Sequence, residues 1–514
     1  MQQVYSATEI IETNPICNPN NFEFLYSSIQ ATIYRISINA TSMKFIFKTA
    51  LLAFFLINIS CTKTKIGIDQ DYQVNNFVWS GLNAYYLWQD KVTNLSDARF
   101  LNMQEYNSFL GTETNTEVFF ENLLHQKDVV DKWSWIVDDY IALEQAFQGI
   151  TKHHGMEFGL VAVARNETDI FGYVRYVLPN SDAADKNVQR GMLFNAVNGT
   201  KLTRDNYGSL LFASDSYTID LADFTGGNLV GNGTSIALTK SAYQENPVFI
   251  SKTITSGTKK IGYLMYNAFT SNFDGQLNTA FSTLKASGIT DLIVDLRYNG
   301  GGSIRTAAYL SSMITGQFTG ELFSKNHWNS KVQGALSPEN LLNNFTNEIN
   351  NGSIKEAINS LQLTKVYFIT TGSSASASEL VINGLKPYID VKIVGTKTHG
   401  KYVGSVTLYD SPNFSRTGAS TEHTWAMQPI VLEVKNKLGE NDKDGFDPDK
   451  ELGENFADLG VLGELSDPLL QRTITYITTG GKGGTMPSGI QFEEITNSKL
   501  ELPTRNNMYV EFDF

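Results

Sequence analysis

The sequence of 514 residues has only two cysteines, Cys17 and Cys61, which excludes a disulfide-rich scaffold and a cysteine-rich zinc site. It has no apolar run of the roughly 20 residues that a membrane-spanning helix needs. Its six histidines never show the HExxH spacing of a zinc metalloprotease. The 40 basic residues are outnumbered by 53 acidic ones, so the chain lacks the basic excess of nucleic-acid binders. We therefore expect no metal, no cofactor and no nucleic-acid partner.

An export signal is indicated near the N-terminus. From Met43 the sequence reads MKFIFKTALLAFFLINISC, which is a short cationic start, an apolar run and the pair Ser60-Cys61. Such a segment is typical of secretory signals, and a cysteine directly after the cleavage point resembles the lipobox of bacterial lipoproteins. The resemblance implies that residues 43–60 are removed and that Cys61 carries a lipid. Residues 1–42 are then expected to be a spurious upstream extension.

The rest of the chain changes character along its length. We expect a tether over 61–75, a helical domain over 76–150 (with helical spacing that includes Val129, Trp133 and Ile136), a β-rich module over 155–256 that includes a strand Val248–Ile254, and an α/β core over 257–475. A polar, Asn-rich insertion at 317–362 interrupts the core, and 476–514 form a C-terminal extension. The apolar content of 41% is enough for cores in several domains.

Strands and helices are predicted to alternate in the core. The predicted strands are Ile261–Tyr266, Asp291–Leu296, Lys365–Thr370 and Val391–Gly395, and the predicted helices are Gln276–Ala286, Arg305–Ile314 and Ser376–Leu385. This alternation predicts β-α units on a largely parallel sheet.

The first segment with chemical potential runs from Asp295 to Gly302 and reads DLRYNGGG. Glycines after a strand let the backbone approach a ligand closely, with N–H groups directed at an anion. An oxyanion hole, a phosphate site and a plain tight turn all remain open, although no Gly-Lys-Ser/Thr motif or GxGxxG supports a nucleotide.

The second segment, Thr371 to Glu379, places four serines around a predicted helix start. A hydroxyl there lies in the positive end of the helix dipole, which favours a developing anion. Ser376 could equally be an N-cap, with Glu379 completing a capping box. The residues alone do not say which serine would react.

Lys401 follows the next apolar strand of the core. Because a β-α-β unit places successive strand ends at one edge of the sheet, Ser376 and Lys401 can meet there. A lysine serves as a general base only when burial lowers its pKa towards neutrality, and a solvated surface lysine is the alternative.

Together these segments resemble the C-terminal processing, or tail-specific, serine peptidases. The resemblance implies that Ser376 is the nucleophile and that Lys401, 25 residues later, is its base. It also implies oxyanion donors at Ala377 and at Gly301 or Gly302, and a carboxylate at Glu379 beside the pair.

The resemblance extends over most of 155–475. It implies a PDZ-like module at 155–256, a crotonase-like β-α protease core, and a polypeptide substrate with an exposed C-terminal tail that the module binds by strand addition. With the lipobox it implies an outer-membrane lipoprotein of the cell envelope, facing the periplasm or the surface. Ser405 stands where many members have a glutamine that orients the lysine, so Ser405 is an auxiliary candidate.

Four alternatives compete with parts of this interpretation. A catalytically inactive peptide-binding lipoprotein on the same scaffold is the main alternative, and an acyl-CoA enzyme of the crotonase type would leave the Ser–Lys spacing unexplained. The acidic loop at 440–445, taken with Glu451, resembles a calcium loop, but it begins with Glu440 and Pro448 lies inside it, so a solvated loop is favoured. His399 could be an auxiliary base, but a structural or surface role fits better because Lys401 matches the spacing.

Overall fold

The computed structural model describes residues 67–163, 166–225, 228–441, 443–480, 493–502, 504 and 507–511. The predicted signal and the lipidation candidate Cys61 lie outside these residues. Within them, no helix is long and apolar enough to cross a membrane.

The α-helices are numbered in chain order over the described residues. They are α1 (Gln73–Tyr85), α2 (Met103–Leu110), α3 (Thr116–Glu121), α4 (Tyr140–Phe147), α5 (Asp182–Asp185), α6 (Tyr207–Leu211), α7 (Asp274–Ala286), α8 (Ile304–Ile314), α9 (Ser330–Ala335), α10 (Ala377–Leu385) and α11 (Pro468–Thr479).

The strands are numbered in the same way. They are β1 (Trp135–Val137), β2 (Ile150–His153), β3 (Met156–Val163), β4 (Asn166–Val177), β5 (Leu193–Val197), β6 (Thr200–Lys201), β7 (Ser216–Thr225), β8 (Asn228–Thr239), β9 (Ser241–Gln244), β10 (Val248–Ser256), β11 (Lys259–Tyr266), β12 (Asp291–Asp295), β13 (Gly302–Ser303), β14 (Leu322–Trp328), β15 (Leu342–Asn344), β16 (Glu348–Asn350), β17 (Lys355–Ala357), β18 (Lys365–Thr370), β19 (Asp390–Gly395), β20 (Val403–Ser405), β21 (Leu408–Tyr409), β22 (Ala426–Gln428), β23 (Ile430–Asn436), β24 (Lys450–Glu451), β25 (Glu493–Asn497) and β26 (Met508–Tyr509).

The chain divides into two compact units. Of the described residues, the smaller unit holds those up to Asn83 and Val92–Leu123, and the larger holds Ala84–Lys91 and everything from Leu124 onwards. In the smaller unit, buried apolar side chains of α1, α2 and α3 form the core. Asn75 fixes the helices because its side-chain amide donates to the carbonyls of Leu110 and Glu113, each at 2.9 Å.

Two details of the predicted N-terminal boundaries are wrong. Residues assigned to the tether already belong to α1, which begins at Gln73 and buries Asn75. The helical spacing that included Ile136 fails because Trp135–Val137 form β1, paired antiparallel with β22 in the larger unit. Aromatic and β-branched side chains favour an extended strand, and this long-range pairing overrides the spacing.

A seven-stranded sheet forms the β-rich part of the larger unit. Its order is β25-β3-β4-β5-β7-β8, with β6 paired to β5 at the side. Buried apolar residues of these strands, including Phe158, Phe194 and Ile219, form one cluster. The sequence grouped Val248–Ile254 with this sheet, whereas the structure pairs β10 antiparallel with β11 in a different sheet. A tight turn at Gly257 joins β10 and β11, and such a hairpin closes locally.

The core sheet has the order β10-β11-β12-β18-β19-β24. Strands β11, β12, β18 and β19 are parallel neighbours, and helices α7, α8 and α10 occur between them in sequence. The predicted strand–helix alternation is therefore confirmed, with element ends within two residues of the prediction. The carboxyl ends of β12, β18 and β19 meet at one edge of the sheet, as parallel strands require.

A second six-stranded sheet has the order β13-β26-β20-β23-β14-β15. The stretch 317–362, predicted as an insertion, supplies β14 and β15 to this sheet. The predicted boundary at 475 falls inside α11, which continues to Thr479. Beyond it, β25 joins the seven-stranded sheet and β26 lies between β13 and β20.

Candidate active site

The glycine turn and the serine turn lie side by side. Strand β12 pairs in parallel with β18, and the chain continues from each strand into one of the two turns. The Leu296 amide donates to Ile369 O at 2.9 Å, and the Ala375 amide donates to Asn299 O at 3.1 Å. The two segments singled out in the sequence therefore form one surface at the edge of the core sheet.

The four serines around the start of α10 differ in the hydrogen bonds that they make. The hydroxyl of Ser374 donates to Leu296 O at 2.8 Å, and that of Ser378 donates to Asn299 O at 3.0 Å. Ser373 is half-buried. Ser376 is completely buried and stands at the N-cap of α10 in the predicted capping box with Glu379, yet its Oγ makes no hydrogen bond of good geometry among the described residues. Buried hydroxyls are normally paired, so Ser376 is the exceptional one.

The backbone of Ser376 is strained. Its φ of 66° and ψ of −115° lie in a region that residues with a side chain rarely adopt. A similar strained turn between a strand and a helix presents the nucleophile in other hydrolases. Directly after it, Ala377 begins α10, so its N–H has no acceptor within the helix and lies at the positive end of the dipole.

The glycine turn packs against this serine. A Cβ on Gly301 would lie 2.6 Å from Ser376 Cβ, 2.7 Å from Asn507 O and 2.9 Å from Ala377 N, and φ is 109°. A Cβ on Gly302 would lie 2.3 Å from Phe269 O. Both positions thus require glycine for close approach. The N–H of Gly301 donates to Asn299 Oδ1 at 2.9 Å, which holds the shape of the turn.

Glu379 joins the serine to the lysine loop. Its Oε2 accepts from the amides of Ser376 and Lys401, both at 2.8 Å. Its Oε1 accepts from Thr398 Oγ1 and the Gly400 amide, both at 2.6 Å. Burial raises the pKa of this carboxyl, and the four hydrogen bonds oppose that rise. Glu379 therefore acts on the backbone that carries the two candidate catalytic residues.

Lys401 is buried, with 2% of its surface exposed. It lines one small cavity together with Ser376 and Glu379. Its Nζ lies 5.9 Å from the centroid of the Trp133 ring. Trp133 was predicted to belong to the helical domain, and no local pattern predicts its position beside Lys401. The loop that carries Lys401 follows β19, the parallel neighbour of β18.

Ser405 contacts two residues that the sequence analysis missed. Its hydroxyl lies 2.8 Å from Gln428 Oε1 and 3.0 Å from Asn507 Oδ1. Gln428 is buried on β22, and Asn507 precedes β26. Neither stands at a motif spacing, so only the long-range pairing of strands could reveal them. Ser405, on the strand β20 that follows Lys401, therefore connects this part of the chain to the C-terminal segment.

The remaining candidates lie elsewhere. His399 is exposed and is not among the residues that line the cavity of Ser376 and Lys401. No group of His, Cys, Asp or Glu in the described part of the chain is arranged to hold a metal ion.

A second buried polar cluster lies beside the glycine turn. Arg297 is fully buried and donates to Asp295 Oδ2 at 2.6 Å and to Asp467 Oδ2 at 2.7 Å. Asp467 also caps α11, because its Oδ1 accepts from the Leu469 amide at 3.0 Å. The cluster thus fixes the glycine turn to α11.

Comparisons with known proteins agree with this geometry. The family model described as Peptidase family S41 matches residues 260–424, and the Peptidase S41 N-terminal domain matches residues 73–135. A protein of Staphylococcus epidermidis named "Probable CtpA-like serine protease" is 28% identical over 183 residues, which is 34% of each chain. One of the same name from Staphylococcus aureus is 27% identical over 148 residues, 29% of this chain and 26% of that protein. The chain therefore aligns with about a third or less of the length of these relatives.

A solved structure supports the same fold. A Bacteroides fragilis protein assigned to the S41 proteases superposes with a TM-score of 0.60 at 23% identity, covering 79% of this chain and 98% of that one. The matched core holds both predicted turns and Lys401. The predicted resemblance is thus confirmed over the matched segments: residues 73–135 and 260–424 are similar to the two domains of peptidase family S41.

Proposed function

We propose that this protein is a serine endopeptidase in which Ser376 is the nucleophile and Lys401 the general base. One observation carries the proposal: a single carboxylate oxygen of Glu379 accepts from the backbone amides of both residues, each at 2.8 Å. Their side chains line the same cavity, beside the apolar Leu380 and Val434. Removal from water favours the uncharged form of an amine, which a base requires.

The reaction follows from these positions. Lys401 Nζ accepts the proton of Ser376 Oγ as the oxygen attacks a peptide carbonyl. The tetrahedral intermediate loses its amine, which takes the proton from Lys401, and an acyl-enzyme remains. Water then attacks the ester while Lys401 accepts one of its protons. As the ester C–O bond breaks, Lys401 returns that proton to Ser376 Oγ, and the product leaves with a new terminal carboxyl group.

Charge on the carbonyl oxygen needs donors that are fixed in advance. The Ala377 N–H at the start of α10 is one donor, and an N–H of the Gly301–Gly302 turn is the other. The Gly301 N–H already donates to Asn299 Oδ1, so an oxyanion would have to share this donor. The N–H of Gly302 is the alternative donor. The close packing of Gly301 on Ser376 keeps both donors next to the nucleophile.

Cleavage of an unfolded protein such as denatured casein tests the proposal. We expect Ser376→Ala to lower the rate about a thousandfold or more, with the melting temperature retained. Ser378→Ala is the matched control and should still cleave, since that hydroxyl only bonds Asn299 O. Cleavage that survives in Ser376→Ala would refute the assignment.

We further propose that the seven-stranded sheet is the PDZ-like module that receives the substrate tail. Only the edge strand β25 separates β3 from the edge of this sheet. An extended peptide could add there as a strand in the place of β25. A substrate with a natural C-terminal carboxylate should be cleaved faster than its amidated form. Equal rates for the two forms would argue against recognition of the terminus.

A non-catalytic peptide-binding protein is the second candidate. It is favoured by the burial of Ser376 and Lys401 and by Ser405 in place of an orienting glutamine. A fluorophosphonate probe separates the two functions, because only a reactive Ser376 would form a covalent phosphonyl ester. Absence of labelling in a folded protein would support the binding function.

The site in the cell is a separate proposal. We propose that Cys61 carries a lipid that anchors the protein in the outer membrane, on the basis of the signal-like segment before it. Radiolabelled palmitate should be incorporated by the wild type and not by Cys61→Ser. Incorporation by both would contradict a lipid at Cys61.

A further inference from the structure

The C-terminal part of the chain adds a strand at two separate places in the larger unit. Strand β25 pairs antiparallel with β3 at the edge of the seven-stranded sheet. Strand β26 pairs in parallel with β13 and β20. Addition of an extended strand to a sheet is a common way in which a protein binds a peptide.

The second place is the candidate active site. Met508 is 1% exposed and lines the cavity that contains Ser376 and Lys401. Before it, the carbonyl oxygen of Asn507 and Ser376 Cβ both approach the position that a Cβ of Gly301 would take, at 2.7 Å and 2.6 Å. A peptide carbonyl of the chain itself therefore lies within a few ångströms of the nucleophile and of the Ala377 amide.

Strand β26 is paired with its neighbours over only two residues. The register pairs only Gly302 with Met508, and Ser303 and Ser405 with Tyr509. Polar side chains add a few contacts, among them Ser303 Oγ to Glu511 Oε1 at 2.6 Å. A strand of two residues is the kind of contact that opens at low cost in free energy, unlike the long strands of the core.

The first place has the features of a bound peptide. Residues Glu493–Asn497 run along Gly159–Ala162 of β3. The side chain of Ile495 packs against the apolar cluster of the seven-stranded sheet. The segment thus combines backbone pairing with one partly buried apolar side chain that packs on the sheet, as added peptide strands do.

A cleft connects the two places. It is lined by Asn497 and Lys499 near β25 and by Asn507 and Tyr509 at β26. The glycines at 300–302 also line it. The cleft therefore leads from Glu157 on β3 to the glycine turn that packs against Ser376.

We infer that the C-terminal pieces Glu493–Asn497 and Asn507–Glu511 occupy, within the same chain, the route of an extended polypeptide substrate. The substrate class is an unfolded segment that adds a strand to β3, crosses the cleft and places an unbranched apolar side chain in the pocket beside Ser376. Leu380, Val434 and Phe446 line this pocket and favour such a side chain. The substrate must displace the chain's own segment. This inference rests on the proposed function, because the route is that of a substrate only if Ser376 cleaves peptides.

A release variant in the full chain tests the inference. Ile495→Glu with Met508→Glu puts a carboxylate into both apolar sites, where an unpaired charge is strongly disfavoured. The control, Leu438→Glu with Val461→Glu, adds the same charge at sites that are 65% and 60% exposed. We expect the release variant to cleave casein and to react with fluorophosphonate about tenfold faster than the wild type, and the control to match the wild type.

A binding measurement keeps this test apart from catalysis. With Ser376→Ala in every protein, a fluorescent peptide of sequence 493–511 should bind the release variant at least about tenfold more tightly than the control. Met508→Glu alone serves if the double variant does not fold. Equal affinities would overturn the inference even if the enzyme is active. If the peptide distinguishes the proteins but none of the variants that retain Ser376 reacts with fluorophosphonate, the inference stands and the proposed catalysis fails.

Discussion

Two buried polar clusters lie near the carboxyl ends of neighbouring strands, and they differ in how completely they are paired. Arg297, after β12, is surrounded by carboxylates that its guanidinium satisfies. Ser376, after β18, is equally buried, but its hydroxyl makes no hydrogen bond of good geometry in the described chain and its backbone is strained. A satisfied network stabilises a structure, whereas an unsatisfied strained group marks a place where chemistry is expected. Variants around Ser376 should therefore lose activity, whereas variants of the Arg297 cluster should lose stability.

The largest effect is expected at the glycine that supports Ser376. Gly301→Ala would push a methyl group into Ser376 Cβ at 2.6 Å, so the nucleophile must shift. We expect peptidase activity to fall about a hundredfold or more, since a displacement of about 1 Å costs that much. Gly199→Ala is the control, because its φ of 73° is also positive while no atom lies within 4 Å of the new Cβ. Equal activity of the two variants would show that the contact is unimportant.

The opposite failure is expected for the paired cluster. Arg297→Met leaves Asp295 and Asp467 buried without their partner, and the free energy of unfolding should fall by about 3–5 kcal/mol. Arg416→Met breaks the ion pair with Glu144, whose side chains are 52% and 30% exposed, and should cost about 1 kcal/mol or less. Urea unfolding measures both. If Arg297→Met proved as stable as Arg416→Met, the cluster would not be a structural support.

A smaller effect is expected for an intermediate case, Asp274. It is buried and accepts from Thr306 Oγ1 at 2.8 Å and Asn351 Nδ2 at 2.7 Å, yet burial raises the pKa of its carboxyl to about 7. The folded state thus favours the protonated acid, whose stabilising contribution is present below the ordinary pKa of 3.8 and is lost as the pH rises through about 7.

Asp274→Asn removes this titration. The melting temperature of the variant, relative to the wild type, should therefore rise between about pH 4 and pH 7 and then level off. Thermal unfolding at several pH values measures it. A difference between the two proteins that does not change with pH would mean that Asp274 does not titrate in this range.

The sequence predicts the parts of the site that local patterns determine. The strand Lys365–Thr370 matches the structure, and the turn after it contains the exceptional serine. Apolar runs bounded by small residues are enough for such predictions. The parallel alternation indicated that Ser376 and Lys401 could lie at one edge of the sheet, and they line the same cavity, whereas their roles came from the family resemblance.

Other parts depend on contacts between distant segments. Trp133 beside Lys401 and Asn507 beside Gly301 come from opposite ends of the chain, and no spacing connects them. The strand β1 was predicted as helix because its three residues are too few to show the periodicity of a strand. Its partner β22, which stabilises it, lies far away in the sequence. The sequence also could not show that the C-terminal extension returns to both sheets.

The most direct test of the central claim is the site and rate of fluorophosphonate labelling, measured by peptide mass spectrometry. In the wild type and the release variant we expect the phosphonyl group on Ser376 alone, and we expect Lys401→Met to reduce the labelling rate at least about a hundredfold because no base remains to accept the proton. Labelling at another residue, or an unchanged rate in Lys401→Met, would contradict the Ser376–Lys401 pair.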